Sequence, residues 1–330
     1  MDRSSVEAAR SKGVTPSGDG APPSVREAIE LAQALWTNIS SVVLGAPGAV
    51  TAAVVAALSG NHLLVEDVPG VGKTMLAKAL ARTVGARMAR IQGQADLLPS
   101  DITGVSVYSP ASSTWEIRPG PVFAHVLLVD ELNRTPPRTQ SALLESMEER
   151  QVTIDGESLP LPRPHLVLAT QNPISQIGTY PLVESQLDRF GLSTGLGYPS
   201  EDAEVSLALR HGAQPALDDL KPACAVESWE RAQRAVRTVI VAPAVAGYAV
   251  RLCRATRAMP SIRLGASPRA AIVLTATAQA HAILAGRDFA TPDDVKAVAV
   301  ACLQHRIAVD SGDGRHAIEQ ILAATPVPRP

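Results

Sequence analysis

Asp67-Val-Pro-Gly-Val-Gly-Lys-Thr74 stands between an apolar run, His62-Leu-Leu-Val-Glu66, and a helix-forming run, Met75-Leu-Ala-Lys-Ala-Leu80. A strand, a glycine-rich loop and a helix in that order form a cradle for a phosphate chain. Gly70 and Gly72 permit the tight backbone path, and the loop amides converge at the positive end of a helix dipole. Pro69, Gly70, Val71, Gly72, Lys73, Thr74 and Met75 are therefore the predicted phosphate-binding stretch. Lys73 offers a point charge to β- and γ-phosphates, and Thr74 offers a hydroxyl to Mg²⁺. The strict pattern has glycine where this chain has Asp67, a departure confined to the first turn of the loop. The bland alternative is a Gly/Pro turn, which β-forming sequence on one side and helix-forming sequence on the other argue against.

Outward from the loop, short apolar runs alternate with helical segments. Met88–Ile91, Val126-Leu-Leu-Val129 and Leu166-Val-Leu-Ala169 read as further strands, and residues 73–85 as a helix. Continuous apolar strands separated by helices predict an α/β fold, a parallel sheet covered on both faces. Residues 102–119 and 151–163 interrupt the rhythm with β-forming runs around turn residues, Asp155-Gly156 in the second. Both read as inserted β-hairpins. Upstream, residues 1–22 mix Ser, Gly, Pro and charges and predict a flexible tail. Ser24 and Glu27 form a capping-box pattern ahead of a first helix, and a second helix is expected at about 48–59. From Tyr198-Pro199 onward the pattern is Ala-rich and helical, with helix starts at Ser200, Ser267-Pro268 and Thr291-Pro292. The expected division is a tail at 1–22, a core at 23–197 and a smaller helical domain at 198–330.

Composition limits the partners. Lys plus Arg is 30 against 32 for Asp plus Glu, a net charge of -2, so a dominant nucleic-acid or anionic-membrane surface is not expected. Hydrophobic residues make up 46% but aromatics only 3%, so the core must be built from Ala, Val, Leu and Ile. Cys224, Cys253 and Cys302 contain no Cys-x-x-Cys pair, which argues against a zinc site and predicts reduced thiols buried in helices. No basic-then-apolar leader and no apolar run of about 18 residues is present, so a cytoplasmic protein without membrane insertion is expected.

Five more residues carry candidate chemistry. Asp130-Glu131 ends the run 126–129, where α/β proteins bind ligands. Asp130 would hold Mg²⁺ through its water shell, and Glu131 would polarise an attacking water. Read alone, the pair is a solvated strand end; the upstream phosphate loop changes that. Asn172 ends the following strand, where a neutral amide can hold the lytic water, although Asn-Pro alone is a turn. Arg189 could pair with an acid on its own surface or reach a phosphate in a neighbouring subunit. Arg269 follows the helix start at Ser267 and could contact an anion.

These motifs occur in an order that resembles MoxR-type AAA+ ATPases. The resemblance rests on Glu66–Thr74, Asp96-Leu-Leu-Pro-Ser-Asp-Ile-Thr-Gly104, Gly120-Pro-Val-Phe123 and the run from Asp130 to Glu149. It continues through Gln171-Asn-Pro173, Leu187-Asp-Arg-Phe190 and Gly265-Ala-Ser-Pro-Arg269, and covers about residues 25–310. It implies a five-stranded αβα AAA+ core followed by an all-α lid, with ATP and Mg²⁺ between subunits of a ring, usually a hexamer. It implies that Asn172 is the first sensor, Arg189 an arginine finger acting in trans, and Arg269 the second sensor. Members of the family act as chaperone-like remodellers of protein clients, often with von Willebrand factor A-domain partners. The competing expectation is a ring ATPase working on DNA, but the hairpins carry little beyond Arg118 and Arg163, with Asp155 and Glu157 at one tip. A third, a nucleotide-gated scaffold, fits poorly with intact Glu131 and Asn172.

Overall fold

A computed structural model of the chain describes residues 25–68, 70–172, 178–209, 217 and 219–328. The tail at 1–22, the expected cap Ser24, Pro69 of the phosphate loop and Pro173 of the Asn-Pro turn lie outside these residues. The chain begins with α1 (Val25–Val42), α2 (Pro47–Ser59), β1 (Leu63–Glu66), α3 (Lys73–Thr83) and β2 (Met88–Gln92). It continues through α4 (Pro99–Thr103), β3 (Gly104–Ser109), β4 (Thr114–Pro119), β5 (Val126–Asp130) and α5 (Pro137–Glu149). Then come β6 (Gln151–Ile154), β7 (Glu157–Pro160), β8 (Leu166–Gln171), α6 (Glu184–Leu187), β9 (Leu192–Thr194) and α7 (Glu201–Leu209). Helices Val226–Val236, Pro243–Ala258, Pro268–Leu284, Pro292–Leu303 and Gly314–Ala324 follow.

Five parallel strands form one sheet in the order β2-β5-β8-β1-β9. Strand period 2 divides their apolar side chains between two cores. Leu63, Val65, Val126, Leu128, Leu166 and Leu168 face one core with α1, α2, α3 and the C-terminal helices. Leu64, Leu127, Val129, Val167 and Ala169 face the other, with Leu143, Leu144 and Met147 of α5. The α/β sheet covered on both faces is as the apolar runs predict. Because β1 lies between β8 and β9, the loop that follows it opens at the carboxyl edge, flanked by a strand on either side.

The two hairpins form as antiparallel pairs, β3 with β4 and β6 with β7. Asp155 at φ 49° and Gly156 at φ 85° turn the second, the left-handed pair that a two-residue hairpin needs. The first starts later than expected. Residues 99–103 are helical, with Pro99 in the first turn and the Asp101 carboxylate accepting from Leu98 N at 2.8 Å. The helix expected to reach 85 stops at Thr83, ahead of Gly85 at φ 60°.

The region beyond 197 is mainly helical, with two short strand pairs that the sequence pattern does not signal. Ile240–Val241 pairs with Phe289–Ala290, and Ile262–Leu264 with Ala308–Val309. These helices pack on α1 and α2. Trp229 is fully buried and donates from Nε1 to Ala57 O at 2.9 Å. Cys253 and Cys302 are buried in helices, whereas Cys224 is half-buried and outside any helix, a correction to the expectation of three helical thiols. Among the described residues no helix is long and apolar enough to cross a membrane.

Candidate functional site

The apolar strand β1 delivers Glu66 and Asp67 to the carboxyl edge of the sheet, and α3 starts at Lys73. Between them Gly70 and Gly72 adopt φ 88° and 101°, values that a side chain would strain. Gly72 is the N-cap of α3 and no side chain caps it, so the positive end of the helix stays open to an anion. Nothing lies within 4 Å of where a Cβ of Gly70 would be, which leaves the cradle open. These features fit a phosphate chain.

Lys73 donates from Nζ to Asp67 O at 2.6 Å. Burial lowers the pKa of Lys73, while the charges of Asp67, Asp130 and Glu131 oppose that shift and favour the ammonium. Asp67, the residue that replaces a glycine, has a clear structural task. Its Oδ1 accepts from Val68 N at 2.8 Å, and its Oδ2 accepts from Leu196 N and Gly197 N, both at 2.7 Å. The first turn of the loop is thereby tied to the segment leading into the helical region. Beside the loop, Val42, Leu44, Gly70, Met75, Tyr198 and Pro199 line a cleft of about 450 Å³. It is apolar enough to receive a flat heterocycle.

At the end of β5, Asp130 is only 6% exposed and accepts from Arg90 Nε at 2.7 Å. Thr170 on the adjacent β8 donates to Asp130 Oδ1 at 3.4 Å and accepts from Glu131 N at 2.9 Å. Glu131 sits at φ 55°, ψ 49°, a left-handed conformation uncommon for a non-glycine residue. Its Oε2 takes Gln92 Nε2 at 3.3 Å and Arg134 Nε at 3.1 Å. Gly93 allows this crossing, since a Cβ there would overlap Glu131 O. Among the described residues no group of three or more His, Cys, Asp and Glu could hold a metal unaided. One carboxylate and one hydroxyl beside a phosphate cradle fit Mg²⁺, which keeps several waters and binds largely through phosphates.

Asn172 follows β8, and its carbonyl accepts from Asn133 Nδ2 at 3.3 Å. Lys73, Asp130, Glu131 and Asn172 thus gather at one edge of the sheet. Arg189 and Arg269 do not. Gly191 N donates to His62 O at 2.9 Å, and His62 Nε2 meets Met147 O at 3.3 Å, which places this region at the amino end of β1. Both arginines pair with Glu148 of their own chain, Arg189 at 3.4 Å and Arg269 at 2.6 Å. Five residues of extended chain, roughly 16 Å at 3.3 Å each, separate His62 from Asp67.

Arg90, Gln92, Thr170, Asn133 and Glu148 are absent from the sequence-derived site. Arg90 and Gln92 carried a weak signal, two polar side chains at i and i+2 on one face of β2. Thr170 and Glu148 carried none, because their partners are distant in sequence.

The model of the AAA family, ATPases associated with various cellular activities, matches residues 62–192, and that of the AAA lid domain matches residues 254–324. The protein YeaC of Bacillus subtilis, itself uncharacterized, is 43% identical over 88% of this chain and 93% of its own length. Chaperone MoxR1 of Mycobacterium tuberculosis is 39% identical over 82% of this chain and 74% of its own. A crystal structure from Cytophaga hutchinsonii, assigned as an ATPase, superposes with a TM-score of 0.84 at 34% identity, covering 92% of this chain and 97% of that one. With its nucleotide cradle, strand-end acid pair and helical lid, the chain belongs to the MoxR family of AAA+ ATPases.

Proposed function

We propose that this ATPase works as one subunit of a closed ring, a hexamer, in which Mg²⁺-dependent ATP hydrolysis drives the remodelling or maturation of a protein client. The cradle from Pro69 to Met75 binds the phosphates, Lys73 neutralises the β- and γ-oxygens, and Thr74 and Asp130 hold Mg²⁺, which supplies charge neutralisation when bound. Glu131 orients and polarises the lytic water, and Asn172 holds that water against the γ-phosphate. The division at 197 separates the catalytic core from the lid. A von Willebrand factor A-domain protein is the expected kind of partner. The acidic tip of the second hairpin, Asp155 and Glu157, favours a protein client over DNA.

The observation that carries the ring is the position of Arg189 and Arg269. Both lie at the amino end of β1, away from their own Lys73, and share one carboxylate. Cations so placed serve a phosphate brought by a neighbour. A cation supplied in trans is worth about 10³–10⁵ in rate. Subunit mixing tests this. Arg189→Ala keeps its own cradle and Lys73→Ala keeps its arginine, so each alone should be nearly inactive and the exchanged mixture should regain turnover. Glu131→Gln should retain bound ATP and hydrolyse it at least 100-fold more slowly. Wild-type turnover by assembled Arg189→Ala rings would remove the trans role.

A further inference from the structure

Glu148 lies in the last turn of α5, and none of the phosphate chemistry described above uses it. Its Oε1 takes Arg269 Nη1 at 2.6 Å and its Oε2 faces Arg189 Nη2 at 3.4 Å. The two cations come from different parts of the molecule. Arg189 lies on the core, between α6 and β9, and Arg269 lies in the first turn of helix Pro268–Leu284. Without an anion between them the two guanidinium groups would repel each other and swing apart. Each is engaged through one terminal nitrogen, and a guanidinium has five N–H donors, so both keep donors for a further anion.

The backbones beneath are tied as well. Asp188 Oδ2 accepts from Ser267 Oγ at 3.1 Å, and Asp188 Oδ1 accepts from Arg306 Nε at 2.8 Å. The hydrogen bond from Arg269, with the positive charge of both arginines, holds the Glu148 carboxyl below its ordinary pKa, so it stays an anion near neutral pH.

We propose that Glu148 is a positioning residue for hydrolysis in the neighbouring subunit, yoking Arg189 of the core to Arg269 of the lid so that both reach one γ-phosphate together. This rests on the trans reading of the two arginines. Glu148 touches no nucleotide and acts only through them. Its removal should therefore affect turnover and leave nucleotide binding in its own cradle intact.

The test uses the full-length assembled protein, with assembly and thermal unfolding checked for every variant. Glu148→Ala should lower kcat at least tenfold and change KM for ATP by less than threefold. Glu148→Gln, close in shape and without the charge, should fall with it, and serves if the alanine variant does not fold. Glu148→Asp, which keeps the carboxylate, should recover part of the rate. In single-turnover measurements, adding Glu148→Ala to Arg189→Ala/Arg269→Ala should cost nothing further. An equal loss in both backgrounds, or wild-type kcat for Glu148→Ala and Glu148→Gln, overturns the proposal. If the arginine variants are slow while the Glu148 variants are not, the yoke alone fails. If assembled arginine variants turn over at the wild-type rate, the trans reading and the yoke fail together.

Discussion

At Gly191 the chain has no room for a side chain. A Cβ there would overlap Asn61 Cβ, just ahead of the strand that starts the phosphate loop. Gly191→Ala should destabilise the fold by about 1–3 kcal/mol through overpacking, and Asn61→Gly in the same chain should restore part of it, both read from denaturant unfolding. The buried histidines give a second residue-scale expectation. Burial lowers the pKa of His62 to about 3, of His165 to about 4 and of His305 to about 3. The folded state therefore holds them neutral, while the unfolded chain protonates them near 6.5. Their contribution is fully present above pH 6.5 and is lost as pH falls towards 4. Unfolding free energy should drop by roughly 1.4 kcal/mol per histidine between pH 7.5 and 5.5. Replacing His305 with Asn, whose amide does not titrate, should shrink that drop by one third.

At the scale of elements, α5 spans from one edge of the sheet to the other. It starts just after Asn133, near the nucleotide edge, and ends with Glu148 at the amino edge, about 20 Å away at 1.5 Å per residue. The inserted hairpins are anchored differently from this helix. Val152 and Ile154 of β6 are buried in the second core, while the Asp155-Gly156 tip projects. Replacing the tip with a shorter turn should leave basal ATPase activity within about twofold, because among the described residues no hydrogen bond or ion pair joins it to the phosphate cradle. Client remodelling should fall if the tip engages the client; a loss of ATP binding in a folded variant would instead assign this hairpin to the nucleotide site. The first hairpin exposes Trp115 and Tyr108 in an edge-to-face pair, uncommon in a chain with so few aromatics.

Across the whole molecule, a buried cation adds to the contacts that join core and lid. Arg306 is 4% exposed and donates to the Asp188 carboxylate, to Phe190 O and Gly191 O, and to Cys302 O. Arg306→Ala removes the buried cation that pairs the Asp188 carboxylate and leaves the others with fewer donors, and should cost about 3–5 kcal/mol. Since α1, α2 and the C-terminal helices share one core, the loss should appear as an earlier single transition by circular dichroism and tryptophan fluorescence alike.

The phosphate loop, the strand-end acid pair and the four longer strands of the main sheet were legible in the sequence because each is local. Apolar runs of four to six residues specify buried strands, and glycines ahead of a helix start specify an anion cradle, whatever the rest of the chain does. The first hairpin starts at Gly104 and not at the expected Ile102, because Pro99 and Asp101 cap a helix more strongly than the β-formers around Ile102 resist it. Strand order and register were decided only by tertiary structure. They set Arg90 against Asp130, Gln92 against Glu131 and Thr170 beneath both, pairs about 40 residues apart in the chain. Local propensity carries no information about such partners, since they meet only when the sheet closes. The same holds for Glu148 between Arg189 and Arg269. The sequence determined which groups could handle a phosphate, and the packing of lid on core determined which end of the molecule each one serves.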